Sequence, residues 1–254
     1  MSGYANRERL AKLYQQEVDS YVDRHPGSKD AHERATENLL GGVPMIWMKK
    51  WPGPFPLYVK GAKGSHFQDV DGNDFADLCL GDTGAMTGHS PDATVRAVQE
   101  QVANGVTLML PTEKAQQNAK LLADRFGVPV WQFTLSATDA NRHLIRYARE
   151  VTGRRKIAVH DWCYHGTVDE TFAVLDDSGN TVARKDNIGR PVELDQTTWS
   201  IPFNDLDAAE KAFQSGEIAA LLMEPALTNI GIVLPNPGYL EGLQELCRKY
   251  DVIW

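Results

Sequence analysis

The chain has few cysteines and no long apolar run. Its 254 residues include three cysteines, which lie far apart. They form neither a CxxC motif nor the dense pattern of a disulfide scaffold, and this favours a reduced, cytoplasmic setting. No stretch approaches the roughly 18 apolar residues that span a membrane. The N-terminal segment is polar and charged, which is unlike a secretory signal.

Basic residues are outnumbered by acidic ones. The formal net charge is -8 at pH 7, and Lys and Arg form no long runs. This disfavours a nucleic-acid-binding protein, and the acidic balance mainly indicates solubility. The chain is 42% hydrophobic and 24% charged, as in ordinary globular proteins, and its length allows one or two domains.

Several ligand motifs are missing or incomplete. No GxGxxG follows a predicted strand, so a nicotinamide dinucleotide site has no support. Residues 69–74 resemble part of a calcium loop. However, Gly72 does not stand at the position where an EF-hand needs its Gly, and Leu80 stands where an EF-hand needs a Glu. An Asp-Gly hairpin turn explains this segment better. The two His and one Cys within 160–165 lack a fourth ligand at useful spacing, so no metal site is predicted.

The hydrophobic spacing predicts an α/β fold with a mostly parallel sheet and helices on both faces. Residues 5–24 have helical periodicity, 25–63 read as an irregular arm, and 66–78 as a hairpin. Beyond residue 91, strands and helices alternate, which is typical of parallel sheets. The expected strands are 129–135, 156–160 and 218–223, and the expected helices are 94–104, 113–125, 139–151, 206–215 and 239–250.

We expect two domains, 1–80 with the N-terminal helix, arm and hairpin, and 81–254 as the first part of a larger α/β domain. The last residues, Val252 to Trp254, follow a predicted helix and resemble the start of a buried strand. Strands average about 5–6 residues, and chain termini usually lie at the surface. The sequence therefore predicts a truncated chain, or one half of a split protein.

The strongest local motif is Ser136-Ala137-Thr138, which lies between a predicted strand and a predicted helix. A helix N-terminus exposes unpaired N–H groups and the positive end of the dipole, which suit a phosphate. The alternative is a simple helix cap, with Ser136 as N-cap and Asp139 three residues later.

Two further candidates follow predicted strands, at the edge where parallel sheets bind ligands. Tyr164 and His165 follow strand 156–160, and the aromatic ring either stacks on a flat cofactor or is an ordinary packed side chain. Glu224 closes strand 218–223, where its carboxylate either faces a ligand or caps a loop. Asn229 follows shortly and offers an amide donor.

These motifs, in this order, resemble class III aminotransferases of fold type I, which depend on pyridoxal 5'-phosphate (PLP). The glutamate-1-semialdehyde aminomutase branch is the most similar, from about Gly41 to the last residue. Each motif is weak, but their joint order and spacing are specific. The motifs are GGVP (41–44), FQDVDGNDFADL (67–78), TGHS (87–90), SATDAN (136–141), YHG (164–166) and MEPALTNIG (223–231).

The resemblance implies a role for each candidate residue. It makes 81–254 the first part of a PLP-binding large domain, with 1–80 belonging to a small domain. The implied cofactor-binding residues are Ser136, Ala137 and Thr138 at the phosphate, Tyr164 on the pyridine ring with His165 in the same turn, Glu224 beside the cofactor, and Asn229 near the ring hydroxyl.

Three residues depart from the family pattern. Ala137 replaces a Gly, and its methyl group would interfere if the backbone there needs positive φ. Asp139 replaces a Glu, which is one methylene longer. Asp82 places a carboxylate on the substrate side, where the aminomutase branch has a Ser-Trp type pair, and this argues against a strict aminomutase.

The resemblance places the Schiff-base Lys and the Asp that pairs with the pyridinium nitrogen beyond Trp254, so no catalytic residue is assigned within this chain. We expect the complete protein to be a homodimeric aminotransferase that moves an amino group between an amine or amino acid and a carbonyl acceptor. The chain alone is expected to be inactive. The alternatives are glutamate-1-semialdehyde 2,1-aminomutase itself, or a non-catalytic half that pairs with a Lys-bearing chain.

Overall fold

The computed structural model describes residues 6–185 and 187–254. The chain forms two compact units, Met1–Pro111 and Thr112–Trp254. The domain division at residue 80 stays a prediction. None of the helices in the described part of the chain combines the length and apolar character that crossing a bilayer requires.

The first unit contains helices and one antiparallel sheet of three short strands, in the order β1-β2-β3. The hairpin predicted over 66–78 is confirmed, with Phe67 opposite Phe75. Its elements are α1 (Arg7–Arg24), α2 (Pro26–Ala35), β1 (Val59–Lys63), β2 (His66–Asp69), β3 (Asp74–Ala76) and α3 (Asp92–Ala103).

Helix α2 corrects the prediction of an irregular arm over 25–63. Pro26 lies in the first turn, where a missing N–H costs nothing. The next two amides, of Gly27 and Ser28, donate to the carboxylate of Asp71 at 2.6 and 3.0 Å. The cap therefore comes from the hairpin turn, 43 or more residues away, and local sequence patterns do not reveal it.

The second unit is built on a parallel sheet of order β7-β4-β8. All five residues of β8 are buried, as expected for a parallel strand covered on both faces. The elements of this unit are α4 (Glu113–Phe126), α5 (Ala137–Thr152), β4 (Lys156–His160), β5 (Ala173–Leu175), β6 (Thr181–Ala183), β7 (Thr198–Ile201), α6 (Leu206–Gln214), β8 (Ile218–Leu222) and α7 (Tyr239–Lys249).

Helices cover both faces of this sheet, as predicted. Ile157 and Val159 of β4 pack in one buried cluster with residues of α5. Ala158, between them, points to the other face and packs in a second cluster with residues of α6 and α7. The alternation follows from the pleat of a strand, in which successive side chains point to opposite faces.

The last residues of the chain lie beside β8. Ile253 forms a parallel bridge with Ala220. Its N–H donates to the carbonyl of Ala219 at 3.1 Å, and its carbonyl accepts from the N–H of Leu221 at 2.8 Å. Ile253 therefore has the hydrogen-bond pattern of a parallel neighbour of β8.

The strand predicted over 129–135 is wrong. The segment is irregular, and all of its residues except Trp131 are exposed. A strand needs a neighbour to satisfy its N–H and C=O groups, and no other segment within 6–185 and 187–254 pairs with it. Sequence reasoning also missed the two-stranded hairpin of β5 and β6, whose turn contains Gly179.

Candidate functional site

Three segments meet at the carboxyl edge of the parallel sheet. They are the first turn of α5, the loop after β4 and the loop after β8. Hydrogen bonds join the first two through Asn141, whose Nδ2 donates to the carbonyl of His165 at 2.9 Å. The two loops are joined through Glu224, which accepts from the N–H of Tyr164 at 3.0 Å.

Ser136 is the N-cap of α5. Its hydroxyl accepts from the N–H of Asp139 at 3.1 Å, so Ser136 is the N-cap as expected, while its phosphate-binding role stays a prediction. No acceptor in the described part of the chain takes the N–H groups of Ala137 or Thr138. Two amides therefore remain available at the positive end of the helix dipole, the arrangement that favours an anion.

Ala137 does not strain the backbone. It is the first residue of α5, and its φ is not positive. An L-residue adopts this conformation freely, and Ala favours a helix more than Gly does. The departure from the family's Gly is therefore compatible with the local geometry.

Gly166 allows close approach between the loop after β4 and α5. Its φ is +82°, and a Cβ there would overlap Thr138 Oγ1 and lie 3.1 Å from Thr138 Cα. Thr138 Oγ1 also accepts from the N–H of Thr167 at 3.1 Å. A residue without a side chain is thus required where the two segments touch.

His165 is buried, with 8% of its surface exposed. Its Nε2 has no hydrogen-bond partner among the described residues. Burial lowers the pKa of this imidazole, opposed by the nearby Glu224 carboxylate and assisted by the Arg184 guanidinium. This shift favours the neutral imidazole, whose buried Nε2 remains available to a ligand.

Glu224 is held by donors on both oxygens. Oε1 accepts from the N–H of Tyr164, and Oε2 accepts from the N–H and the hydroxyl of Thr228, all at 3.0 Å. Tyr164 remains 49% exposed, so it is accessible to a ligand. Asn229 follows Thr228 and is exposed.

The remaining candidate, Asp82, lies in the first unit. It is exposed and has a positive φ of 56°. Its substrate-side role stays a prediction, as do the ligand-binding roles of the residues in the second unit.

Sequence reasoning missed several residues that support this edge. Arg184 donates to the carbonyl of Cys163, and its guanidinium lies 5.6 Å from the ring centroid of Trp162. The fully buried His160 approaches the hydroxyl of Tyr239 at 2.8 Å through Nε2. Burial is the main cause that lowers the pKa of His160 to about 4. The partners of Arg184 and His160 come from distant parts of the sequence, so no local motif indicates the role of either residue.

Similar proteins share this architecture. A family model described as Aminotransferase class-III matches residues 47–254. A glutamate-1-semialdehyde 2,1-aminomutase of Methanocaldococcus jannaschii is 39% identical over 231 residues, which are 89% of this chain and 53% of that protein. The chain spans about half the length of the curated relatives it matches.

Solved structures of aminomutases and transaminases are also similar to this chain. A glutamate-1-semialdehyde-aminomutase from Pseudomonas aeruginosa PAO1 has a TM-score of 0.93 and 43% identity, over 97% of this chain and 55% of that one. A variant of it was solved in complex with PMP. An omega-transaminase from Sphaerobacter thermophilus has a TM-score of 0.81 and 33% identity, over 91% of this chain and 55% of that one. The chain has the α/β fold of type I PLP enzymes and belongs to the class-III aminotransferase family.

Proposed function

We propose that the complete protein is a PLP-dependent aminotransferase that moves an amino group between an amine or amino acid and a carbonyl acceptor. The observation that carries this is the convergence of an anion-binding helix end, a close glycine contact and an exposed aromatic face at one sheet edge. The relatives named as aminomutase and transaminase support the same chemistry.

The residues present fit the cofactor. The free amides of Ala137 and Thr138 and the Ser136 hydroxyl suit a phosphate dianion, and the Tyr164 ring suits the pyridine face. When bound, PLP acts as an electron sink for charge that develops on the substrate carbon. In this proposal Ser136 and α5 anchor the phosphate, Tyr164 orients the ring, and Gly166 keeps the two segments in contact.

We propose that the residues at the sheet edge hold PLP through non-covalent contacts with its phosphate and its ring. The test is titration of the chain with pyridoxal 5'-phosphate and, separately, with pyridoxal. We expect much tighter binding of the phosphorylated form. Equal affinity for the two would contradict the phosphate assignment.

A covalent control completes this test. The chain is treated with PLP and borohydride, and modified lysines are mapped by mass spectrometry. We expect scattered, substoichiometric modification. A single lysine modified stoichiometrically would refute the view that this chain lacks the Schiff-base residue.

The aminomutase is the second candidate, favoured by the names of relatives that share 39% and 43% identity. Conversion of glutamate-1-semialdehyde by the complete protein, without an added amino acceptor, would establish it. Amino transfer that requires a separate donor and acceptor would favour the aminotransferase.

We also propose a homodimer in the cytoplasm. The family resemblance supports the dimer, and three free cysteines, two of them buried, are compatible with a reducing compartment. Sedimentation of the complete protein at several concentrations tests the dimer, and a monomer throughout would contradict it.

A further inference from the structure

We propose that Thr228 is a positioning residue that, through Glu224, fixes the peptide group preceding the Tyr164 ring. This deepens the proposed function, because it rests on Tyr164 as the cofactor-stacking residue. Nothing in the family motifs above assigns a role to Thr228. Its exposed position, immediately before Asn229, makes it accessible to substitution without disturbing the core.

The peptide group between Cys163 and Tyr164 is held at both ends. Its carbonyl, on Cys163, accepts from the guanidinium of Arg184. Its N–H, on Tyr164, donates to Oε1 of Glu224 at 3.0 Å. A cation and an anion thus hold opposite ends of one peptide plane, and hydrogen bonds to charged groups are stronger than neutral ones. We call this arrangement of Arg184, Glu224 and their peptide the peptide clamp.

Thr228 holds the acidic side of the peptide clamp. Its N–H and its hydroxyl both donate to Oε2 of Glu224, each at 3.0 Å. The turn that carries Thr228 is closed separately, by paired hydrogen bonds of 3.0 and 2.9 Å between Leu227 and Val233. The turn is therefore fixed independently of Glu224, so it can orient the carboxylate rather than follow it.

The peptide clamp determines where the Tyr164 ring lies. A planar, fixed peptide leaves the ring position to the φ of Tyr164 and to its side-chain torsions, and Tyr164 is 49% exposed. Fixing the peptide therefore narrows the range of ring positions. Loosening Glu224 should let the peptide rotate and weaken stacking on a bound ring.

The test compares Thr228→Val with Thr228→Ser. Valine keeps the branched shape but removes the hydroxyl donor, and serine restores the donor. We expect water exchange of the Tyr164 N–H, measured by NMR on the chain without ligand, to rise roughly tenfold in the Val variant and to stay within about twofold in the Ser variant. The N–H of Thr167, in the same loop but bonded to Thr138, is the internal control and should not change.

Glu224→Gln provides a second perturbation. Tyr164 and Thr228 donate to different oxygens of Glu224, so the single oxygen of a glutamine can replace only one of them, and its NH₂ would face the other donor. We expect faster exchange of the Tyr164 N–H or loss of the Thr228 contact. Unchanged Tyr164 exchange in both Thr228→Val and Glu224→Gln would overturn the positioning role.

The affinity of the same variants for pyridoxal 5'-phosphate completes the test. We expect Thr228→Val to bind roughly tenfold more weakly and Thr228→Ser to bind like the parent chain. Faster Tyr164 exchange with unchanged affinity, or equal loss in Val and Ser, would overturn the inference. If the parent chain does not bind PLP at all, the proposed function fails for this chain, while Tyr164 exchange still decides whether Thr228 holds the clamp.

Discussion

Replacing Gly166 with alanine should disrupt the contact between the loop after β4 and α5. The residue has φ +82°, and its added Cβ would overlap Thr138 Oγ1 and approach Thr138 Cα at 3.1 Å. Rotating Thr138 could remove the overlap with Oγ1, but its Cα and Cβ, at 3.1 and 3.2 Å, would still crowd the new methyl group. The hydrogen bond from the N–H of Thr167 to Thr138 would be lost as the segments separate.

The magnitude follows from two costs. An L-residue in the left-handed region costs about 1–2 kcal/mol. A lost hydrogen bond adds about 1 kcal/mol. Gly166→Ala should therefore lower the free energy of unfolding of the second unit by about 2–3 kcal/mol. Gly179→Ala is the matched control, since Gly179 has a similar φ of +79° and no atom within 4 Å of its Cβ position.

The assay is urea unfolding followed through the amide signals of β4 and β8. We expect Gly179→Ala to show only the backbone cost, and Gly166→Ala to exceed it by at least 1 kcal/mol. Binding of PLP should be lost in Gly166→Ala and kept in Gly179→Ala. Equal destabilisation by the two substitutions would refute the reasoning, because it would show that the contact with Thr138 contributes nothing.

Substitutions at three further positions test the site and its surroundings. Ser136→Ala should cost about 1 kcal/mol of stability by urea unfolding and should weaken PLP binding. Ser136→Asp should keep the cap but lose PLP affinity through charge repulsion. Equal PLP affinity of the two variants would argue against the phosphate site. Tyr164→Ala should bind PLP roughly tenfold more weakly and Tyr164→Phe normally, which titration would check. A folded-state pKa of about 4 for His160 lies below its unperturbed value of 6.5, so stability should be full above pH 6.5 and fall by on the order of 3 kcal/mol toward pH 4. His160→Gln should flatten this pH dependence of the urea midpoint.

Features encoded over short distances were predictable from the sequence. The N-cap at Ser136 and the helix that follows it depend on neighbouring residues. The hairpin over 66–78 depends on an Asp-Gly turn. The strands that end before Tyr164 and Glu224 are apolar runs, and parallel-sheet topology brings their ends together.

Features that depend on distant partners were not predictable. Helix α2 begins where Asp71 supplies its cap, which no pattern within 25–63 shows. Conversely, 129–135 has strand composition but no paired neighbour among the described residues. The contact of Thr228 with Glu224 is local, four residues apart, yet a threonine after a Glu-Pro has no distinctive signal.

The hydrogen bonds that join segments at the sheet edge have a kinetic consequence. Thr138 contacts Thr167, and Asn141 contacts His165, through groups of the protein itself. A ligand that enters therefore loses little free energy in ordering these segments. Its association should be a single bimolecular step, with an observed rate that rises linearly with ligand concentration and no plateau from slow loop closure. Differences in affinity between ligands at this site should then lie mainly in their dissociation rates.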